Sequence, residues 1–427
     1  MKKFLAIIAV LALTVFASAA FAEVTVSGSI DIRSRDFKNT SDFSDKLGDA
    51  QKDTQNRVRV NVDAKHEGVK GRITLENDWD NFGANGTEST LGLSKTGTSI
   101  AGQPARPWIR EAWIDFKLPV ATAHIKVGHQ MLQLGQGWFF RSMKYGSDAW
   151  VVGLPGKNTI AFIDVKAFEF TSALSDDVDA YVLLDVFKIN DTNTVGIDLT
   201  NVRDRRGNAF GGTETDLLNV GLWYAGKLGP VNLKAEIDIQ SGKTKDGAGA
   251  GTDLKYSGNQ IIVQGAIPMD ALSLNFTVAR GSGDKAESPD TKNEGMVTIM
   301  DADPHYSFLY EYKVAAGGSQ RNTGKGFDNT TAVGIGGMMN LSKSVAVGLD
   351  LWYFQATEKV ENLNTANATD TTSDLGTEID AKINWKVNDN LSWNWNLGYL
   401  MPGDGLAKAV DATDAATGIQ GILSYKF

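Results

Sequence analysis

The stretch that decides the fold is 416-ATGIQGILSYKF-427, which reads as one extended strand. Ile419, Leu423, Tyr425 and Phe427 fall on one side with Gly421 between them, and Thr417 shares that side. Gln420, Ser424 and Lys426 take the other. A strand that runs to an aromatic last residue leaves its edge without a shielding tail. Exposed edges invite aggregation, and a closed barrel removes them by pairing last strand with first.

The same alternation recurs upstream. Val24, Val26, Ile30 and Ile32 oppose Thr25, Ser27, Asp31, Arg33 and Arg35. Val58, Val60, Val62 and Ala64 oppose Arg57, Arg59, Asn61, Asp63 and Lys65, and Ile73 and Leu75 oppose Arg72, Thr74, Glu76 and Asp78. Ala112, Ile114 and Phe116 alternate with Trp113, Asp115 and Lys117, then Ala123, Ile125 and Val127 with His124 and Lys126. Later runs at 231–240, 272–278, 378–385 and 391–401 repeat the pattern, with less regular ones near 160–170, 178–187, 217–225, 260–267, 330–339 and 345–354.

Soluble sandwiches also alternate, so two further features carry the distinction. The polar faces hold charges at mid-strand, which a dry core rejects and a water-filled lumen accepts. The connections alternate in length. Tight ones sit near 67–70, 118–121, 171–177, 226–230, 268–271, 340–343 and 388–390. Long polar ones sit near 38–55, 80–107, 130–158, 190–216, 242–255, 281–328, 357–373 and 402–414. Short turns at one rim and long loops at the other define a transmembrane antiparallel β-barrel. Eight long loops imply 16 strands. Tyr306, Phe308, Tyr310, Tyr312 and Val314 also alternate inside the longest loop; pairing them with Met296–Met300 gives 18.

Bulk composition agrees. The chain has 427 residues with 42% hydrophobic content, and its mean hydropathy of -0.20 excludes a bundle of membrane helices. There is no cysteine, so disulfides, thiol catalysis and protein-held c-type haem are excluded. The net charge of -9 argues against a nucleic-acid partner. Met1–Ala22 is the one long apolar run: Lys2 and Lys3 head it, and Ala20-Phe21-Ala22 ends it with an A-x-A cleavage site. It reads as a cleaved export signal rather than an anchor, with residues 23–427 forming a single barrel.

At Ile125-Lys126-Val127-Gly128-His129-Gln130 and at the closing strand the chain resembles the outer-membrane diffusion porins of Gram-negative bacteria. The hexapeptide is similar to the V-G-R-Q end of their fifth strand, with His129 in place of the basic residue. The resemblance implies an outer-membrane channel for ions and small hydrophilic solutes, contact with outer-membrane lipid and a homotrimer, with Asp80–Pro107 latching a neighbour. It implies no cofactor. It also makes 130–158 the inward constriction loop, whose Trp138, Phe139, Phe140, Tyr145 and Trp150 would be poorly placed in water.

Facing that loop, Arg33, Arg35, Arg57, Arg59 and Arg72 lie on the polar faces of three consecutive strands about 4.8 Å apart and form one basic wall. Such a wall focuses potential and selects by sign. Glu76, with Asp31, Asp63 and Asp78, is placed to pair with it. Asp115 and Lys126 continue the polar lining. The loop adds Arg141, Lys144 and Asp148, and its mixed charge departs from the acidic loop of typical porins. An anion-favouring constriction is the expectation. His66, His124, His129 and His305 are too scattered for a metal site, and His305 with Ser307 lacks the third group a hydrolase needs. A barrel that serves as a sheath for a periplasmic electron-transfer partner, or as an adhesin, stays as the alternative.

Overall fold

The computed structural model describes residues 23–46, 50–81, 108–119, 122–169, 176–206, 213–245, 253–285, 291–300, 306–314, 326–365 and 369–427. The export signal expected at 1–22, and the latch expected over Asp80–Pro107 beyond Asn81 up to Trp108, lie outside these residues.

Eighteen long strands among the described residues form the wall. They are β1 (Glu23–Lys38), β2 (Gln51–His66), β3 (Val69–Asn81), β4 (Trp108–Lys117), β5 (His124–Gln133), β6 (Phe140–Pro155), β7 (Asn158–Phe168), β8 (Val178–Asn190) and β9 (Asn193–Asp204). These are followed by β10 (Glu214–Leu228), β11 (Val231–Lys245), β12 (Asn259–Met269), β13 (Leu272–Gly281), β14 (Thr330–Asn340), β15 (Val345–Glu361), β16 (Thr371–Lys386), β17 (Leu391–Pro402) and β18 (Ala416–Lys426). Each pairs antiparallel with its sequence neighbours. β18 returns to β1 with Ser29 opposite Lys426 and Lys38 opposite Thr417.

Closure is completed by the last residue. Gly28 N–H donates to Phe427 O at 2.9 Å, and Phe427 N–H donates to Gly28 O at 3.1 Å. A Cβ at Gly28 would stand 2.6 Å from the Phe427 ring, so the seam needs the glycine. Phe427 itself points outward, as do Val26, Ile30, Ile237, Leu349, Ile383 and Tyr399. Asp31, Arg33, Glu76 and Asp380 on alternate positions are buried inward. Hydrocarbon outside and polar lumen inside is the alternation the sequence displayed.

The 16-strand count is corrected to 18, and the added strands are not the expected pair. β6 and β9 lie within 130–158 and 190–216, both read from sequence as outer loops. β9 does alternate, with Ile197 and Leu199 outward and Asp198 and Thr200 buried inward, and is hidden only by its place in a polar stretch. β6 is hidden because the inner face of this sector is apolar. Ala149, Ile163, Val165, Ala180, Val182, Val202 and Leu217 are covered from within by Leu134, Phe139, Phe140 and Met296. A wall apolar on both faces loses the period-two signal. Ile299–Met300 runs parallel to the start of β6, and Tyr310–Val314 forms a single wide helical turn inside the lumen, so neither joins the wall.

Candidate functional site

The lumen is narrowed by a bridge built from two inward segments. From β16, the Glu378 carboxylate accepts three successive backbone N–H groups, those of Phe308 (2.9 Å), Leu309 (2.6 Å) and Tyr310 (2.7 Å). Asp380 accepts Phe308 N–H again at 3.1 Å. From β11, Glu236 accepts the N–H of Gln136 and, at 3.2 Å, that of Trp138. Segments that leave the wall carry unpaired amides, and a carboxylate facing inward is the acceptor that satisfies several at once.

The two segments meet through aromatic rings. Trp138 lies 4.8 Å from Phe327 and 6.0 Å from Tyr306, and Tyr306 stacks on Phe327 at 4.2 Å. Tyr310 stacks on Phe354 of β15 at 4.1 Å, and its hydroxyl meets Thr330 at 2.9 Å. Phe308 and Tyr312 pack on Phe37 of β1 at 5.6 and 6.4 Å. Burial among these rings pushes the Tyr306 and Tyr310 phenols above their ordinary range. Burial, then the nearby Arg35, holds the Lys313 ammonium below its own, although Lys313 donates to Gln51 at 2.7 Å.

Beside the bridge stands the arginine wall. Arg35 grips Asp53 through two bonds of 2.9 and 2.7 Å, Arg57 grips Asp31 at 3.1 and 3.0 Å, and Arg72 grips Asp63 at 2.7 and 3.1 Å. Arg59 donates to Glu76, which also meets Arg110 at 3.1 Å. Arg33 donates to Gln55 and, at 3.3 Å, to the Tyr312 hydroxyl of the bridge. A chamber of about 360 Å3 opens here, lined by Arg33, Arg57, Lys382, Tyr312, Asn396 and Gln420, and no carboxylate lines it among the described residues. A second, of about 650 Å3, shares Tyr306 and Lys382 with it and is lined further by Lys234, Asn275, Asp350 and Trp352.

The residues expected from sequence divide. Arg33, Arg35, Arg57, Arg59, Arg72 and Glu76 come together on the inner wall. Lys126 continues it, with its ammonium 4.1 Å from the Trp113 ring, and Asp115 lies opposite Lys126 in register. The side chain of Asp78 is outside the described residues, as is His305. The loop residues do not converge. Arg141 sits at the outer end of β6 and reaches Gln133 at 3.4 Å, Lys144 lies exposed on the Tyr145 ring at 4.9 Å, and Asp148 points outward to His129 at 2.8 Å. Lys144 and Asp148 are therefore off the constriction. Phe140–Pro155 pairs with both β5 and β7 and is wall, which turns Trp150 outward, while Trp138, Phe139 and Phe140 stay buried inside.

Glu236, Glu378, Asp380 and Arg110 escaped the sequence reading. The two glutamates looked like any lumen charge, because the segments they hold come from 98 and 70 residues away. Arg110 was hidden by a register shift between Thr74 and Leu75 of β3, which alters the parity of β4. A run of aromatics inside a polar loop, Tyr306 to Tyr312, was the available signal.

A sequence model of the Gram-negative porin family matches residues 9–359. The chain belongs to the Gram-negative porins. It is an outer-membrane channel through which small hydrophilic solutes diffuse passively, and the family consists of channels rather than enzymes. Among solved structures this porin is similar to a BenF-like porin of Pseudomonas fluorescens (11% identity, 95% of this chain and 98% of that one, TM-score 0.56). It is also similar to Pseudomonas aeruginosa OpdK with vanillate (9% identity, 94% and 98%, TM-score 0.55) and OccK2 in complex with glucuronate (13% identity, 95% and 98%, TM-score 0.54). At these identities the likeness concerns the fold. No curated protein matched the sequence.

Proposed function

We propose that this porin favours small anions, carboxylates among them, and that solutes pass the aromatic bridge along Arg33, Arg57 and Lys382. The observation that carries the reading is the chamber beside Tyr312, whose ionic lining is cationic throughout. Asp31 and Asp350 stand behind two of these cations, at 3.0 Å from Arg57 and 2.7 Å from Lys382, and moderate the preference without reversing it. Both acids are buried behind their cations, while Arg57 and Lys382 themselves line the chamber and face a passing carboxylate. Two structural neighbours were determined with vanillate and glucuronate, both carboxylates, which agrees with this choice of solute.

The narrowing element is the bridge held by Glu236 and Glu378, to which the stretch 130–158 contributes its segment around Gln136 and Trp138. The working unit is a homotrimer in outer-membrane lipid, with each barrel conducting by itself. Reversal potentials across planar bilayers in a salt gradient test the selectivity. Anion preference, with block of single-channel current by added benzoate, is expected; cation preference overturns the reading.

A further inference from the structure

We infer that the outer wall over β5–β8 is covered by a second copy of this chain rather than by lipid. Most outward faces stay apolar for eight or more residues above the turns that join β2 to β3, β4 to β5 and so on around that rim. β2 does so through Val58, β11 through Ile239, β12 through Ile261 and β16 through Ile379. On β5, β7 and β8 an ionisable side chain interrupts the band at the fifth residue. These are His129 above His124, Asp164 above Thr159 and Asp185 above Asn190.

Five residues along a tilted strand climb ~13 Å, which is the middle of a lipid-facing band ~25 Å tall. Asp148 and Lys166 follow two residues higher. Register places these groups on adjoining strands: His129 faces Asp148, Asp148 faces Lys166, and Lys166 faces Asp179. His129 is bonded to Asp148 at 2.8 Å and Lys166 to Asp179 at 2.7 Å. Asp164, between outward Trp150 and Tyr181, has no hydrogen bond or ion pair among the described residues. Asp185 receives one bond from Asn158 at 3.2 Å, and its other oxygen is buried without a partner. Hydrocarbon has no donor for the Asp164 carboxylate.

A polar surface at this depth needs protein against it. The occupant is argued from the patch itself, which carries acids (Asp148, Asp164, Asp185) beside bases (Lys166, His129). Exposed Trp150, Phe162 and Leu183 set among them can pack in apolar contact. Around a three-fold axis the contact is heterologous, so one flank of a patch holding both signs and large apolar side chains meets the opposite flank on the next copy, where acids can face bases. The inference adds a location to the homotrimer of the proposed function and rests on that assembly.

The chain has no cysteine, so single cysteines can be placed cleanly. Phe162→Cys, Leu183→Cys and Trp150→Cys, with Leu349→Cys on β15 as the distant control, are treated in outer-membrane vesicles with a membrane-permeant bis-maleimide. Heat-modifiable migration identifies the variants that hold a folded barrel, and native mass in nanodiscs gives the copy number. Adducts of twice the chain mass at one or more β6–β8 positions, and none at Leu349→Cys, are expected. Adducts only at Leu349→Cys in a multimeric protein overturn the location alone. A monomeric mass with equal labelling of all sites by a lipophilic maleimide overturns location and assembly together. An adduct of any other mass assigns the patch to a different protein and overturns the inference.

Discussion

Glu378 on β16 accepts the backbone N–H of Tyr310 at 2.7 Å, and the same carboxylate holds Leu309 and Phe308. One wall side chain thereby fixes the segment that crosses the lumen. Hydrogen bonds to a charged group contribute about 1.5–3 kcal/mol each, so three of them offset the backbone ordering of the three residues they hold, at about 1–2 kcal/mol per residue. Glu378→Ala is expected to free Tyr306–Val314 and to raise single-channel conductance in planar bilayers, with open-state noise above that of the parent. The strand pairing of β16 does not involve the side chain, so the barrel band on unheated gels stays in place.

Trp138 closes the bridge from the other side by packing on Phe327 and Tyr306. Trp138→Ala removes contacts that in a packed core are worth about 3–5 kcal/mol. The loss falls on the inward segments. Hydrogen exchange at residues 306–314 should accelerate by orders of magnitude, while the unfolding temperature of the barrel shifts little.

The cations of the smaller chamber set the sign of the current. Removing one, by Arg33→Gln or Lys382→Gln, is expected to move the reversal potential toward cations, and the double variant further still. A change of about 1 kcal/mol in the barrier corresponds to roughly a fivefold change in permeability ratio. Gln keeps the hydrogen bonding and most of the volume, so conductance at high salt should change less than selectivity.

Asp328 sits in the turn that presents Phe327 to the bridge. Burial, reinforced by Asp284, pushes its carboxyl up from 3.8 to about 8, against the help of the Asn329 N–H. The folded turn therefore holds a proton that an opened one releases between these values. Its contribution is full below about pH 4, declines as pH rises, and is lost through pH 8. Amide exchange around Phe327–Thr330 should speed up from pH 6 to pH 9 beyond the intrinsic rate. Asp328→Asn is expected to abolish that excess.

The barrel was legible because its cause is local. At Ile419, Leu423 and Tyr425, or at Val58, Val60 and Val62, one face meets hydrocarbon and the other water, and a residue's chemistry declares its side. The arginine wall was legible for the same reason: Arg33, Arg57 and Arg72 share a parity on neighbouring strands, and register alone brings them together. Legibility ended where the inner face stopped being wet. Ile163, Val165 and Val182 cluster with Phe139, Met296 and Ala149 of β6, so β6 is apolar on its inner face and loses its period. β9 keeps its period at Ile197, Asp198, Leu199 and Thr200, but within a stretch too polar to signal a strand.

The sequence by itself determined a closed antiparallel barrel with solvent inside, the seam at Phe427 and the sign of the basic wall. Only the tertiary structure decided that the lumen is crossed by Trp138 and Tyr306–Val314, held by Glu236 and Glu378. The reason is distance along the chain. A strand's two faces are set by the residue next door, whereas a carboxylate that captures amides 70 or 98 positions away leaves no periodic trace. The chain must close before those groups meet.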